Sequence, residues 1–207
     1  MEMASKTLPD AEKRQEYLEN HFVYEVRELN ATVWYMMSLQ RYSGGRRPDL
    51  LQYLGNAGLD HFLLHGRNLL EFYYKTNKPH LYARANAYAP NWRPPTKTAA
   101  VRKLHDRVND EITHLGWKRL DVKDDEKGWP YVDIAIDMCG ITETFLKVLD
   151  KRYHTTPVRL LRAENIEFQK MFYQMKATKT QVFPDMFDLI GKETPLANTG
   201  KGRPGDS

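Results

Sequence analysis

Leu18, Phe22, Val26, Leu29, Val33, Met36 and Gln40 follow one another at spacings of 4, 4, 3, 4, 3 and 4. That rhythm keeps one side of a 3.6-residue helix in register, so a long first helix is predicted. Asp10 is placed to cap its start, with acidic residues in the first turns that follow. The breaker Ser43-Gly44-Gly45-Arg46-Arg47-Pro48 ends it. A second helix is predicted from residue 48 or 49 to about 75. It is apolar on most sides, which is the mark of a helix central to a bundle. Leu54, Leu63, Leu69, Leu70 and Phe72 are its expected core residues.

Residues 76–97 form a long connection with Pro79, Pro90, Pro94 and Pro95, through which regular structure should not continue. Tyr82, Tyr88 and Trp92 suggest that part of it packs down. A third helix is predicted over residues 97–115, with Val101, Leu104, Val108, Ile112 and Leu115 as its buried stripe. Pro130 suits the first turn of a fourth helix reaching about residue 153. A fifth spans about residues 158–176, with Leu160, Leu161, Ile166, Phe168 and Phe172 apolar. Residues 182–190 would dock as a short helix, and no run alternates like a strand between turns. The expected fold is therefore all-α, an antiparallel bundle of about five helices with a long 76–97 loop. Residues 8–190 would form the domain, and residues 191–207, rich in Gly, Pro and Lys, a disordered tail.

Composition narrows the classes. The 207 residues carry 41% hydrophobic and 28% charged residues, ordinary for a globular chain with a sizeable core. No apolar run reaches the roughly 18–20 residues of a membrane span, and the start has no apolar signal segment. The single cysteine, Cys139, excludes an internal disulfide and sits among Ile134, Ile136, Met138 and Ile141 as an expected buried thiol. These features point to a cytoplasmic setting without membrane contact. Net charge is +4, with 31 Lys and Arg against 27 Asp and Glu, which permits nucleic-acid binding without demanding it.

Two places hold candidate chemistry. On the third helix, Arg107 and His114 are seven residues apart and differ by only about 20° around the axis. Arginine grips phosphate oxygens with a fork of donors, and histidine exchanges a proton near neutral pH. The same residues equally suit a solvated face, with Arg107 and Glu111 as an i,i+4 pair. On the second helix, His61, His65, Asn68 and Phe72 line one face. Two histidines at i,i+4 can chelate a metal. Phe62 stands where an HExxH motif has its acid, and no carboxylate close in sequence is a clear third ligand, so hydrogen-bonded histidines are expected and no metal. Arg67 and Asn68 within so apolar a helix need partners, for which Asn109 and His114 are candidates. No phosphate-binding glycine loop, nucleophile elbow or Cys/His dyad is present.

The string Arg107-Val108-Asn109-Asp110-Glu111-Ile112-Thr113-His114-Leu115 resembles the Arg-x4–6-His signature of the HEPN superfamily. His65-Gly66-Arg67-Asn68-Leu69-Leu70-Glu71-Phe72 is similar to an HxRNLxxF helix that precedes an NxxxxHL helix in bacterial proteins of this kind. The resemblance covers roughly residues 50–120. It implies an all-helical dimer, in many members a metal-independent endoribonuclease of toxin–antitoxin or phage-defence systems, with RNA as substrate and an antitoxin as a further partner. Arg107 and His114 then take the catalytic positions, without a cofactor. The polar residue that often follows the arginine is replaced here by Val108, with Asn109 one later. The competing expectation is a non-catalytic helical interaction protein, in which His65, Arg67, Asn68, Asn109 and His114 hydrogen-bond between helices and fix their register.

Overall fold

A computed structural model describes residues 7–42, 48–78, 80–108 and 129–178, with side chains of residues 40–51 left aside. Asp10 caps the first helix as the sequence predicts, its carboxylate accepting from the Lys13 backbone N–H at 2.8 Å. This rod comprises α1 (Ala11–Tyr17), a π-helical turn (Leu18–Phe22) and α2 (Val23–Tyr42). Helices α3 (Pro48–Tyr74), α4 (Ala99–Arg107), α5 (Tyr131–Val148) and α6 (Thr156–Thr178) follow. No strand occurs among the described residues. The bundle is all-α, as its periodicity predicts.

The side-chain pairs reveal its topology. Tyr35 and Met36 lie against Gly58, Glu28 meets His61, and Glu25 meets His65 and Asn68. As one number rises the other falls, so α2 and α3 are antiparallel. Helices α5 and α6 pair the same way, through Asp133 with Lys176, Ile136 with Gln169, Cys139 with Asn165 and Glu143 with Arg162. The predicted inward row of the first rod, Leu18 to Met36, is buried throughout.

On α3, Leu63, Leu69, Leu70 and Phe72 are core residues, whereas Leu54 is only half-buried. On α6, Leu161 and Phe172 face inward, but Leu160 is exposed and Asn165 is buried in the stripe. The Asn165 amide donates to the Cys139 carbonyl at 2.9 Å, so a polar residue replaces an apolar one where α6 crosses α5. Helix α5 ends at Val148 rather than near residue 153, and a 3-10 turn (Lys151–Tyr153) brings Tyr153 back into the core.

The connection after α3 is docked. The Trp92 indole donates to the Tyr73 carbonyl at 2.9 Å, and the Tyr74 hydroxyl to the Pro95 carbonyl at 2.9 Å. Tyr88 and Trp92 are buried, while Tyr82 remains exposed. Their rings join Phe72, Tyr73, Phe145 and Tyr153 in edge-on and tilted contacts, an arrangement that aromatic quadrupoles favour. Arg84 of this segment is buried and donates to the Glu71 carbonyl.

Cys139 is buried, and its thiol points to Asn30 Oδ1 at 3.4 Å. Burial pushes its pKa up to about 12, against a smaller lowering by the Asn30 contact. A thiol kept neutral in this way is a poor nucleophile, which agrees with the inert role expected for it.

Two glycines of α3 should respond to substitution with opposite signs. A Cβ on Gly66 would lie 2.9 Å from Leu104 Cδ2, and Leu104 is fully buried, so α4 can approach α3 only because residue 66 is small. Around Gly55 a Cβ would meet nothing within 4 Å. Gly66→Leu should cost about 1–3 kcal/mol by overpacking, and Gly55→Ala should gain up to about 1 kcal/mol in helix propensity. Urea unfolding of both variants measures this, and changes of the same sign would contradict the packing described.

The α5–α6 pairing yields a pH prediction. Arg162 grips Glu143 through Nε and Nη2, the shortest contact being 2.7 Å. Burial raises the Glu143 pKa, but the Arg162 hydrogen bonds and charge, with Lys147, overcome it and hold the carboxyl below its usual range. A depressed folded-state value adds stability above the unfolded pKa of roughly 4.3, and that stability is lost as pH falls through the folded value. Arg162→Met should therefore be less stable than wild type at neutral pH, with the difference shrinking as acid protonates Glu143. A difference that stays constant from neutral pH to below about 3 would contradict this assignment.

Candidate functional site

The first candidate region begins at the Thr98 cap. Its hydroxyl accepts from the Val101 backbone N–H at 3.2 Å and bonds to Asp137, tying the start of α4 to α5. With Val101, Leu104 and Val108 turned inward, Arg107 falls on the flank between buried and wet surfaces. Its guanidinium carbon lies 4.3 Å from the centroid of the Trp129 ring, just before α5. A guanidinium at that range is attracted to the ring face, which fixes its position. Asn109, Glu111 and His114 lie outside the described residues, so the structure describes Arg107 alone of the predicted pair.

The second region is the seam between α2 and α3. Here the polar residues singled out on α3 find partners, although on a different helix from the one expected. Asn68 donates to both oxygens of Glu25 at 3.2 Å. His65 meets Glu25 Oε2 through Nδ1 at 2.7 Å. Its side chain is only 4% exposed, so a carboxylate partner offsets the cost of burying the ring. Tyr24 covers the same ring edge-on. Arg67 turns elsewhere, with its Nε 3.6 Å from Glu71 Oε1 on its own helix. Of the residues expected to share a network, His65 and Asn68 are therefore joined through Glu25, Arg67 pairs separately, and Asn109 and His114 lie outside the described residues.

The seam continues past His65. Its Nε2 is 3.1 Å from His61 Nε2, which is in turn 3.0 Å from Glu28 Oε2. Glu28, His61 and His65 each offer one donor atom, and the three lie within 4.8 Å of one another. The third ligand, a carboxylate that no neighbour in sequence supplies, comes from α2, 33 residues before His61. The missed signal was complementarity. Glu25 and Glu28 stand three residues apart on one helix, His61 and His65 four apart on the next, and antiparallel packing superposes them.

No family model, curated protein or solved structure matches this chain.

Proposed function

We propose that this chain is a metal-independent endoribonuclease of the toxin or defence type, working as a homodimer. The observation that supports the reading is the seat of Arg107. Its guanidinium is held over Trp129 on the half-exposed flank of α4, while Arg67, which would bury it in a purely structural network, forms an ion pair with Glu71, and Asn68 donates to Glu25. An arginine oriented by an aromatic plane suits a clamp on phosphate oxygens.

In this reading a 2′-hydroxyl attacks the adjacent phosphorus, a 2′,3′-cyclic phosphate forms, and the 5′-oxygen leaves. One histidine takes the 2′ proton and another gives a proton to the departing oxygen. Arg107 stabilises the charge that gathers on the phosphate. His114 lies seven residues after Arg107, which at a helical rise would be about 10 Å along an axis. That is too far for both to serve one atom from a single chain, so the dimer supplies a second copy of each.

A second reading is a non-catalytic helical interaction protein. It is favoured by the Glu25–His65–Asn68 cluster, which uses polar side chains of the HxRNLxxF string to fix helix register. Incubating purified protein with total RNA in EDTA separates the two. Wild type should cut, and Arg107→Ala and His114→Ala should lose on the order of 10²–10⁴ in rate. Cleavage that survives in His114→Ala, or that requires magnesium, would overturn the ribonuclease reading. No cleavage by wild type would favour the interaction protein.

A further inference from the structure

The α2–α3 seam has fewer protons than its contacts require. His65 Nδ1 lies 2.7 Å from a Glu25 oxygen, so the ring donates there, and in a neutral imidazole Nε2 is then a bare lone pair. That lone pair faces His61 Nε2 at 3.1 Å, and His61 Nε2 also faces Glu28 Oε2 at 3.0 Å. A neutral His61 brings at most one proton to this point, to be divided between two acceptors. If His65 is instead doubly protonated and donates to His61, then a bare His61 nitrogen confronts the Glu28 carboxylate. Either way one contact goes without a proton, whereas a single cation among the three atoms would satisfy all of them.

We propose that Glu28, His61 and His65 form a binding site for a divalent transition-metal ion, with zinc the best match. Two imidazoles and one carboxylate are a borderline donor set, suited to zinc and its neighbours in the first transition row. Magnesium and calcium favour oxygen throughout. Tetrahedral zinc with bonds of about 2.0–2.1 Å sets its ligand atoms about 3.3 Å apart. The 3.0 and 3.1 Å separations would open slightly to accept an ion, and Glu28 and His65, within 4.8 Å of each other, would both turn toward it.

Glu25 plays the outer partner. A carboxylate on the far nitrogen of a ligating histidine fixes its tautomer and raises its basicity. Asn68 holds that carboxylate in turn through both oxygens. Access is one-sided, because the His65 side chain is 4% exposed, against 41% for His61 and 34% for Glu28. Three protein ligands with one open side leave room for a water or a small anion as the fourth ligand. The site is independent of Arg107 and does not enter the RNA chemistry proposed above. On α3, His65 is about 100° around the helix from Gly66, the residue that meets α4.

The test uses the full chain freed of metal by chelation and dialysis. Zinc is titrated in competition with a chromogenic chelator, and cobalt serves as a spectroscopic stand-in. One zinc should bind per chain and raise the melting temperature in a concentration-dependent way. Cobalt should give the strong visible bands of a tetrahedral site. His61→Gln and Glu28→Gln, which alter half-exposed side chains, should weaken zinc binding at least about 100-fold while circular dichroism stays helical. Glu25→Gln should weaken it about 10–100-fold through His65. Failure of wild type to bind zinc above the level of a helical control protein would overturn the proposal. Equal affinity in all three variants would do so too, placing the ion on other histidines. Neither result bears on cleavage in EDTA, so this site and the ribonuclease reading stand or fall separately.

Discussion

Glu25 reaches from α2 to two side chains of α3, and that bridge selects how the two helices align. Helix α3 buries Phe62, Leu63, Leu69, Leu70, Phe72 and Tyr73, so it runs through the middle of the bundle. A polar side chain on its inward faces has no water to turn to, and an unpaired buried polar group costs several kcal/mol at most and about 1–3 in typical measurements. His65 escapes that cost only if α2 presents a carboxylate opposite it, and the exposed Asn68 amide steadies that carboxylate. The requirement fixes register. Sliding α2 by one residue would part Glu25 from His65 and Glu28 from His61, and would bring a different residue onto Gly58, where Tyr35 and Met36 now fit. Apolar packing supplies the attraction between these helices, and the polar seam selects one alignment of it.

The other side of α3 is organised by rings rather than charges. Phe72 and Tyr73 meet Phe22, Tyr88, Trp92 and Phe145 in a cluster that spans the first rod, the long connection and α5. The connection is held because Tyr88 and Trp92 are buried and its backbone supplies acceptors, as Ala87 does for Arg14. It carries the chain back to Thr98, and Thr98 sets the start of α4 against α5. The closeness of α4 to α3 then depends on Gly66. Arg107 is thus positioned through a chain of packing contacts that begins at the aromatic end of α3.

Most of the architecture is legible in the sequence because helical periodicity is a local signal. Spacings of three and four report the buried row of the first rod, and Asp10 and Pro48 mark helix starts in plain view. Leu160 and Asn165 mislead, because the α5 carbonyl at Cys139 takes an amide that hydropathy alone would leave in water. Arg84 is buried in a similar way, with carbonyls and the Tyr82 ring beside its guanidinium. The α2–α3 cluster is the clearest case of a site that local reading divides. His61 and His65 look like half of a metal site, and Glu25 and Glu28 look like ordinary solvated carboxylates. Only the antiparallel pairing places them face to face.

The central claim, that this seam converges on a cation, is tested most directly by anomalous X-ray scattering at the zinc edge from a zinc-soaked crystal. The account predicts one strong peak per chain, at about 2.0–2.2 Å from His61 Nε2, His65 Nε2 and a Glu28 oxygen, with Glu25 still bonded to His65 Nδ1. A seam without a peak, while zinc occupies His105, His154 or another surface histidine, would contradict it.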